Sequence, residues 1–188
     1  MMVMKKKSPR WFADDDIYSV RSLVWMRAPS LCIGLILGFA LSFVTSRFEQ
    51  VLAKNISVAY FIPFIVYMAD AVGTQTQAIY TRDLSNGGAR FSTYLFKESA
   101  LGVLMGIFFG CVSFLIVSVW FNSMILATAV GLATFCAIAT APVVAIIVTE
   151  LLQLDHQDPA IGAGPIATVI QDTVSIVVYG AIASAIIL

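Results

Sequence analysis

Long apolar segments dominate the pattern of hydrophobic and polar positions along this 188-residue chain. Five of these segments reach the length of about 17–25 residues that an α-helix needs to span a bilayer. They cover residues 28–46, 58–80, 99–121, 124–151 and 161–188. None of them shows the period-two alternation that is typical of strands in a membrane barrel. The pattern therefore predicts an all-α integral membrane protein with five transmembrane helices.

Composition agrees with this prediction, because 60% of the residues are hydrophobic and only 12% are charged. Soluble domains have about 25% charged residues. The net charge of zero offers no basic surface that would bind nucleic acid. His156 is the single histidine, which excludes a multi-histidine metal site within one chain, and we predict no cofactor. Three cysteines lie in apolar segments without CxxC spacing, and we interpret them as packing residues: Cys32, Cys111 and Cys136.

The distribution of lysine and arginine predicts the orientation in the membrane. Six of these residues precede the first span, two lie between the first and second spans, and three lie between the second and third. The excess predicts a cytoplasmic N-terminus and, with five spans, an external C-terminus in an inner or plasma membrane. Residues 1–27 are then a cytoplasmic leader, and residues 28–188 are the transmembrane domain. Residues 11–27 mix apolar and charged positions, which fits either an amphipathic interfacial helix or a solvated leader.

The last span contains one acid, Asp172, and no basic residue that could neutralise it. A carboxylate at membrane depth costs about 2.5–3.5 kcal/mol on insertion scales, and such residues commonly mark an ion or proton path. Thr168 precedes Asp172 by one helical turn, and Ser175 and Tyr179 continue the same helical face. We therefore predict that this face of the last helix lines an ion path.

A second polar face occurs in the second span, where Asp70, Thr74, Gln77 and Thr81 follow one another at helical spacing. An acid and several oxygen-bearing side chains beside Gly73 suit a hard cation or its shell of water. The alternative is that Asp70 forms a hydrogen bond with a neighbouring helix or lies in a water-filled vestibule.

Other polar and small residues of the spans favour structural roles. Gln75 and Thr76 point away from the Asp70 face and are predicted to make polar contacts between helices. The third span carries glycines at four-residue spacing, which predicts close helix packing within one chain or between two. These glycines are Gly102, Gly106 and Gly110.

Two stretches carry motifs that resemble a known family. One runs from Pro63 through AVGTQT to Arg82 and continues as KESALGVLMG in the third span. The more specific one is DPAIGAGPIATVIQDTVSIVVYG, at residues 158–180. Both resemble the membrane domain of MgtE-type magnesium transporters, and the resemblance covers about residues 27–188.

The resemblance implies five helices per subunit and a homodimer with the ion path at or near its axis. It implies that Asp172 holds hydrated Mg²⁺ and that the main-chain carbonyl of Thr168 also meets the ion. The chain lacks the soluble regulatory domains of longer members, and we interpret it as a free-standing membrane domain. Where the family commonly has GGNxGNQ, this chain differs and has Ala69, Asp70, Ala71 and Thr74.

The leading hypothesis is a channel or transporter, and not an enzyme, that moves hydrated Mg²⁺ or another divalent cation through a dimeric pore lined by Asp172. One alternative is a carrier that couples the flux to protons or sodium, with Asp70 or Asp172 titrating. A second is an intramembrane aspartyl protease with the two acids as its dyad, but the chain lacks the GxGD pattern of such enzymes. A third, a membrane scaffold without transport, leaves Asp172 unexplained.

Overall fold

The computed structural model describes the backbone of residues 16–154 and 159–188 and the side chains of residues 16–151 and 166–188. The described backbone is helical and contains no strand. Five of its helices are long and apolar enough to span a membrane. The predicted all-α fold with five transmembrane helices is therefore confirmed. In chain order the helices are α1 (Val20–Ser46), α2 (Glu49–Lys54), α3 (Ser57–Ser85), α4 (Phe91–Phe121), α5 (Met124–Leu154) and α6 (Pro159–Ile187).

The first helix begins earlier than the apolar pattern predicted. We expected a start at residue 28 with Pro29 in the first turn, but α1 begins at Val20 and contains Pro29 in its interior. The side chain of Ser19 caps the helix by accepting a hydrogen bond from the Ser22 amide at 3.4 Å. A capping residue, and not the onset of hydrophobicity, sets this helix start. Residues 1–15 of the predicted leader lie outside the described residues.

The centre of the fold is α5, which packs against α3, α4 and α6. Its buried surface is rich in small side chains, and Ala133, Ala137 and Ala141 are fully buried. Small side chains let helix backbones approach closely, which is how membrane helices gain packing energy. By contrast, α1 packs mainly on α6 and leaves Phe39 and Phe43 exposed.

The glycine stripe of α4 forms the predicted close contact, and it does so within one chain. A Cβ added at Gly106 would lie 2.7 Å from the carbonyl oxygen of Phe135 in α5. A Cβ at Gly110 would lie 2.9 Å from the carbonyl oxygen of Gly131. Real Cβ atoms do not approach this closely, so these positions require glycine for α4 and α5 to meet.

Two hydrogen bonds fix the rotation of α3 near its C-terminal end. Thr76 Oγ1 donates to Glu98 Oε2 of α4 at 2.8 Å, and the Tyr80 hydroxyl donates to Glu150 Oε2 of α5 at 2.6 Å. The predicted role of Thr76 as an interhelical contact is confirmed. Because these bonds hold one side of α3 against α4 and α5, the Asp70 side of the helix is directed toward α6.

Candidate functional site

A narrow cleft lies between α3, α5 and α6 within one chain, and its volume is ≈ 10 Å³. A cavity of this size holds about one water molecule. It brings together four of the five residues predicted for the site: Asp70, Thr74, Gln77 and Thr168. The remaining lining residues are Gly73, Val144, Ala145, Ala167 and Gln171.

Helical spacing places the polar side chains of α3 at this cleft, because residues three and four apart share a face. Asp70 and Gln77 are partly buried, whereas Thr74 is exposed. The polar face therefore continues from the cleft to the surface of the single chain. Gly73 lies on the same side, where an added Cβ would be 3.6 Å from the carbonyl oxygen of Ala141.

Asp172 is not among the residues that line the cleft, although it follows Gln171, which does line it. The side chain of Asp172 is partly buried, and its Oδ1 atom has no hydrogen-bond partner within the described residues. The carboxylates of Asp172 and Asp70 are close enough for their negative charges to interact. A buried carboxylate oxygen without a donor, beside a second acid, is a position that a cation would stabilise.

Gln171 is a site residue that the sequence reasoning missed. Its side chain is only 3% exposed, and its Oε1 atom has no partner among the described residues. The signal that could have identified it is its place beside Asp172, since polar side chains at membrane depth usually face the interior of a bundle or a wet cavity.

Two residues of the predicted α6 face, Ser175 and Tyr179, are buried within the chain. Tyr179 is 2% exposed, and its hydroxyl donates a hydrogen bond to the carbonyl oxygen of Val58 at 2.8 Å. Ser175 is fully buried and donates to the main-chain carbonyl of Gln171 at 2.9 Å. These two residues hold α6 in place, and the role of the α6 face in an ion path stays a prediction.

The chemistry of the candidate site suits an ion that keeps its water. No group of three or more His, Cys, Asp or Glu side chains comes together in the described part of the chain. One chain therefore offers two carboxylates and several neutral oxygens, which is too little for a dehydrated divalent ion but suits an ion held through its water shell.

Comparison with known proteins shows the family of this chain. A family model described as "MgtE: Divalent cation transporter" matches residues 62–182, which is more than half of the chain. The chain belongs to the MgtE family. The matched region contains both acids, Asp70 and Asp172, and extends from α3 to α6.

Three curated proteins named "Magnesium transporter MgtE" are similar to this chain. The MgtE of Enterococcus faecalis is 29% identical over 161 residues, which cover 84% of this chain and 36% of that protein. The MgtE of Bacillus subtilis is 26% identical, covering 87% of this chain and 37% of that protein. The MgtE of Thermus thermophilus is 27% identical, covering 90% of this chain and 39% of that protein. The chain thus spans less than two fifths of the length of these relatives.

Proposed function

We propose that the chain forms the membrane path of a Mg²⁺ channel or transporter in which Asp172 recognises the hydrated ion. The observation that carries the proposal is the partnerless Oδ1 of Asp172, near the middle of α6 and within the electrostatic reach of Asp70. Membership of the MgtE family and the names of the three relatives support divalent cations, and Mg²⁺ in particular, as the transported ions.

Mg²⁺ passes this site with its inner water molecules. Mg²⁺ dehydrates reluctantly, and proteins usually bind it through one or two carboxylates while it keeps several waters. The cleft of one chain has room for about one water molecule, so it is too small for the hydrated ion. The path therefore requires a wider space next to Asp172, outside the surface of a single chain.

A second copy of the chain provides that space. Thr74 and Gln75 are exposed on α3 within its candidate membrane span, so a single chain in a bilayer would turn them toward lipid. Polar side chains in a membrane usually face a bundle interior or water. A two-fold pair places these surfaces around a common path, and the two Asp172 carboxylates then form a charged ring that attracts divalent cations. In this path the carbonyl of Thr168 and the polar face of Asp70, Thr74 and Gln77 contact the water shell of the ion.

The orientation of the protein is part of the proposal. The distribution of basic residues favours a cytoplasmic N-terminus, a multi-pass arrangement in the inner or plasma membrane and an external C-terminus. The ends of α3 and α4 that carry Arg82 and Lys97 then lie on the cytoplasmic side.

Uptake of Mg²⁺ into proteoliposomes tests this function. We expect the wild-type protein to admit Mg²⁺ down its concentration gradient, and we expect Asp172→Ala to reduce the rate at least about tenfold, which corresponds to roughly 1.4 kcal/mol in an activation free energy. Empty liposomes give the background. Wild-type liposomes that take up Mg²⁺ no faster than this background would refute the proposal.

The same preparation separates a pore from a coupled carrier. Proton and sodium gradients are dissipated with ionophores while the Mg²⁺ gradient is kept. Continued uptake supports an uncoupled path, whereas uptake that collapses with either gradient supports the carrier.

A further inference from the structure

The cleft between α3, α5 and α6 is too narrow for a hydrated divalent ion, although its α3 face also belongs to the proposed path. Every polar side chain at the cleft carries an oxygen atom. The other lining residues are small or apolar and offer no side-chain donor. The volume of ≈ 10 Å³ admits only one species of about the size of a water molecule. The polar lining consists of Asp70, Thr74, Gln77, Thr168 and Gln171.

The hydrogen bonds of Gln171 determine which end of its side-chain amide is left without a partner. Ser175 Oγ donates its proton to the main-chain carbonyl of Gln171 at 2.9 Å, so it can only accept a hydrogen bond from the amide. Gln171 Nε2 makes this bond at 3.3 Å. The Oε1 atom is therefore the free end, and it is buried without a partner among the described residues. A buried acceptor without a donor is costly, and a bound cation or water molecule removes the cost.

The charge of the cleft comes from one carboxylate. Among the residues that the structure describes, Asp70 is the one ionisable residue that lines the cleft, and it forms no salt bridge with any of them. Asp172 adds a second negative charge nearby. A negative potential from two acids, in a region of the membrane without a basic partner, favours a positive occupant over a neutral one.

We propose that this cleft is a binding site for one dehydrated alkali-metal cation, coordinated by Asp70, the Gln171 Oε1 atom and neighbouring hydroxyl and amide oxygens. A dehydrated Na⁺ ion is no larger than a water molecule and matches the single carboxylate of the lining. Mg²⁺ is excluded because it would have to give up its water shell. The site rests on the proposed function only in that both use the polar face of α3.

Equilibrium binding of radioactive ²²Na⁺ to the purified full chain tests the proposal, with thermal stability in NaCl, KCl and choline chloride at equal ionic strength as a second readout. We expect saturable binding of one Na⁺ per chain and a higher melting temperature in NaCl than in choline chloride. The KCl arm shows whether the cleft takes K⁺ as well. The Gln171→Leu variant should weaken Na⁺ binding at least about tenfold, since it removes the buried oxygen.

Two further variants make the result specific to the cleft. Thr74→Val keeps the shape of an exposed residue and removes one oxygen, so it tests the site even if Gln171→Leu fails to fold. Gln50→Leu removes an exposed glutamine of α2, outside the cleft and the proposed path, and should bind Na⁺ as the wild type does. Equal stability in all salts without saturable ²²Na⁺ binding would overturn the proposal and leave the cleft a water site.

Failure of this proposal can be distinguished from failure of the proposed function. Mg²⁺ uptake in sodium-free and potassium-free buffer depends on Asp172 and not on an occupant of the cleft. Absence of Na⁺ binding together with Asp172-dependent uptake therefore rejects the alkali-cation site alone. Saturable Na⁺ binding without Mg²⁺ uptake supports the site and rejects the proposed function.

Discussion

Asp70 of α3 and Asp172 of α6 are close enough for their charges to interact, but they differ in their surroundings. Asp70 lines the cleft with Thr74, Gln77 and Gln171, whose oxygens share any cation that it attracts. Asp172 lies beside the cleft, and its Oδ1 atom has no donor within the described residues. The charge of Asp172 is therefore the one that neutral neighbours cannot replace.

Replacement of Asp70 by alanine should slow Mg²⁺ uptake less than replacement of Asp172 does. We expect a fall of about threefold to tenfold, or roughly 0.6–1.4 kcal/mol in the activation free energy, because hydroxyl and amide oxygens remain on the α3 face. Uptake assays on both variants in the same liposomes make the comparison. If Asp70→Ala slowed Mg²⁺ uptake more than Asp172→Ala does, the larger role assigned to Asp172 would be contradicted.

Single residues show where sequence reasoning succeeds at this site. The spacing of Asp70, Thr74 and Gln77 predicted a shared face, and the structure places all three at one cleft with Thr168. Helical spacing did not predict how α6 is rotated, because Tyr179 is held by a carbonyl of α3 that is distant in the sequence. Spacing alone did not separate Gln171 from Ser175 either, because residues four apart share a face, yet only Gln171 lines the cleft.

Pairs of helices are held together by different means in this fold. The contact of α4 with α5 depends on glycines whose backbones touch carbonyl oxygens, and this contact was predicted from the four-residue spacing. The contacts of α3 use hydrogen bonds, such as the one from Tyr80 to Glu150, which join residues far apart in the chain. Sequence spacing reveals a stripe on one helix, but it does not reveal the partner helix.

Addition of a methyl group at Gly106 should destabilise the contact between α4 and α5. An alanine Cβ there would lie 2.7 Å from the Phe135 carbonyl oxygen, and overpacking of this kind costs about 1–3 kcal/mol. Thermal unfolding in detergent should show a lower melting temperature for Gly106→Ala. Gly38→Ala in α1 is the matched control, since nothing lies within 4 Å of its added Cβ. Equal melting temperatures for the two variants would contradict the assigned contact.

The single chain exposes polar side chains within a candidate membrane span. α1 exposes large apolar side chains, which lipid can cover, but α3 exposes Thr74 and Gln75, which lipid cannot satisfy. The spans and their order could be predicted from hydropathy alone. The proposed dimer surface could not, because it depends on which polar residues remain exposed once the five spans have packed.

The protein should be a two-fold dimer with the polar faces of α3 around the common path. In a background without Cys32, Cys111 and Cys136, Thr74→Cys should be linked between copies by a bifunctional thiol reagent in native membranes. Val119→Cys is the matched control, because Val119 is 84% exposed on α4, away from this face. Mass measurement in detergent should show two chains. A monomer that transports Mg²⁺ would contradict the shared path.

The central claim is that the charge of Asp172 attracts a hydrated divalent ion, and Asp172→Asn tests it most directly because the shape of the side chain is kept. Loss of one charge beside a dication in a low-dielectric path is worth several kcal/mol, so we predict at least about a tenfold fall in Mg²⁺ uptake into proteoliposomes. The dimer should persist, and Glu49→Gln, at an exposed acid of α2, should transport as the wild type does. An Asp172→Asn dimer with the wild-type rate of Mg²⁺ uptake would contradict the claim.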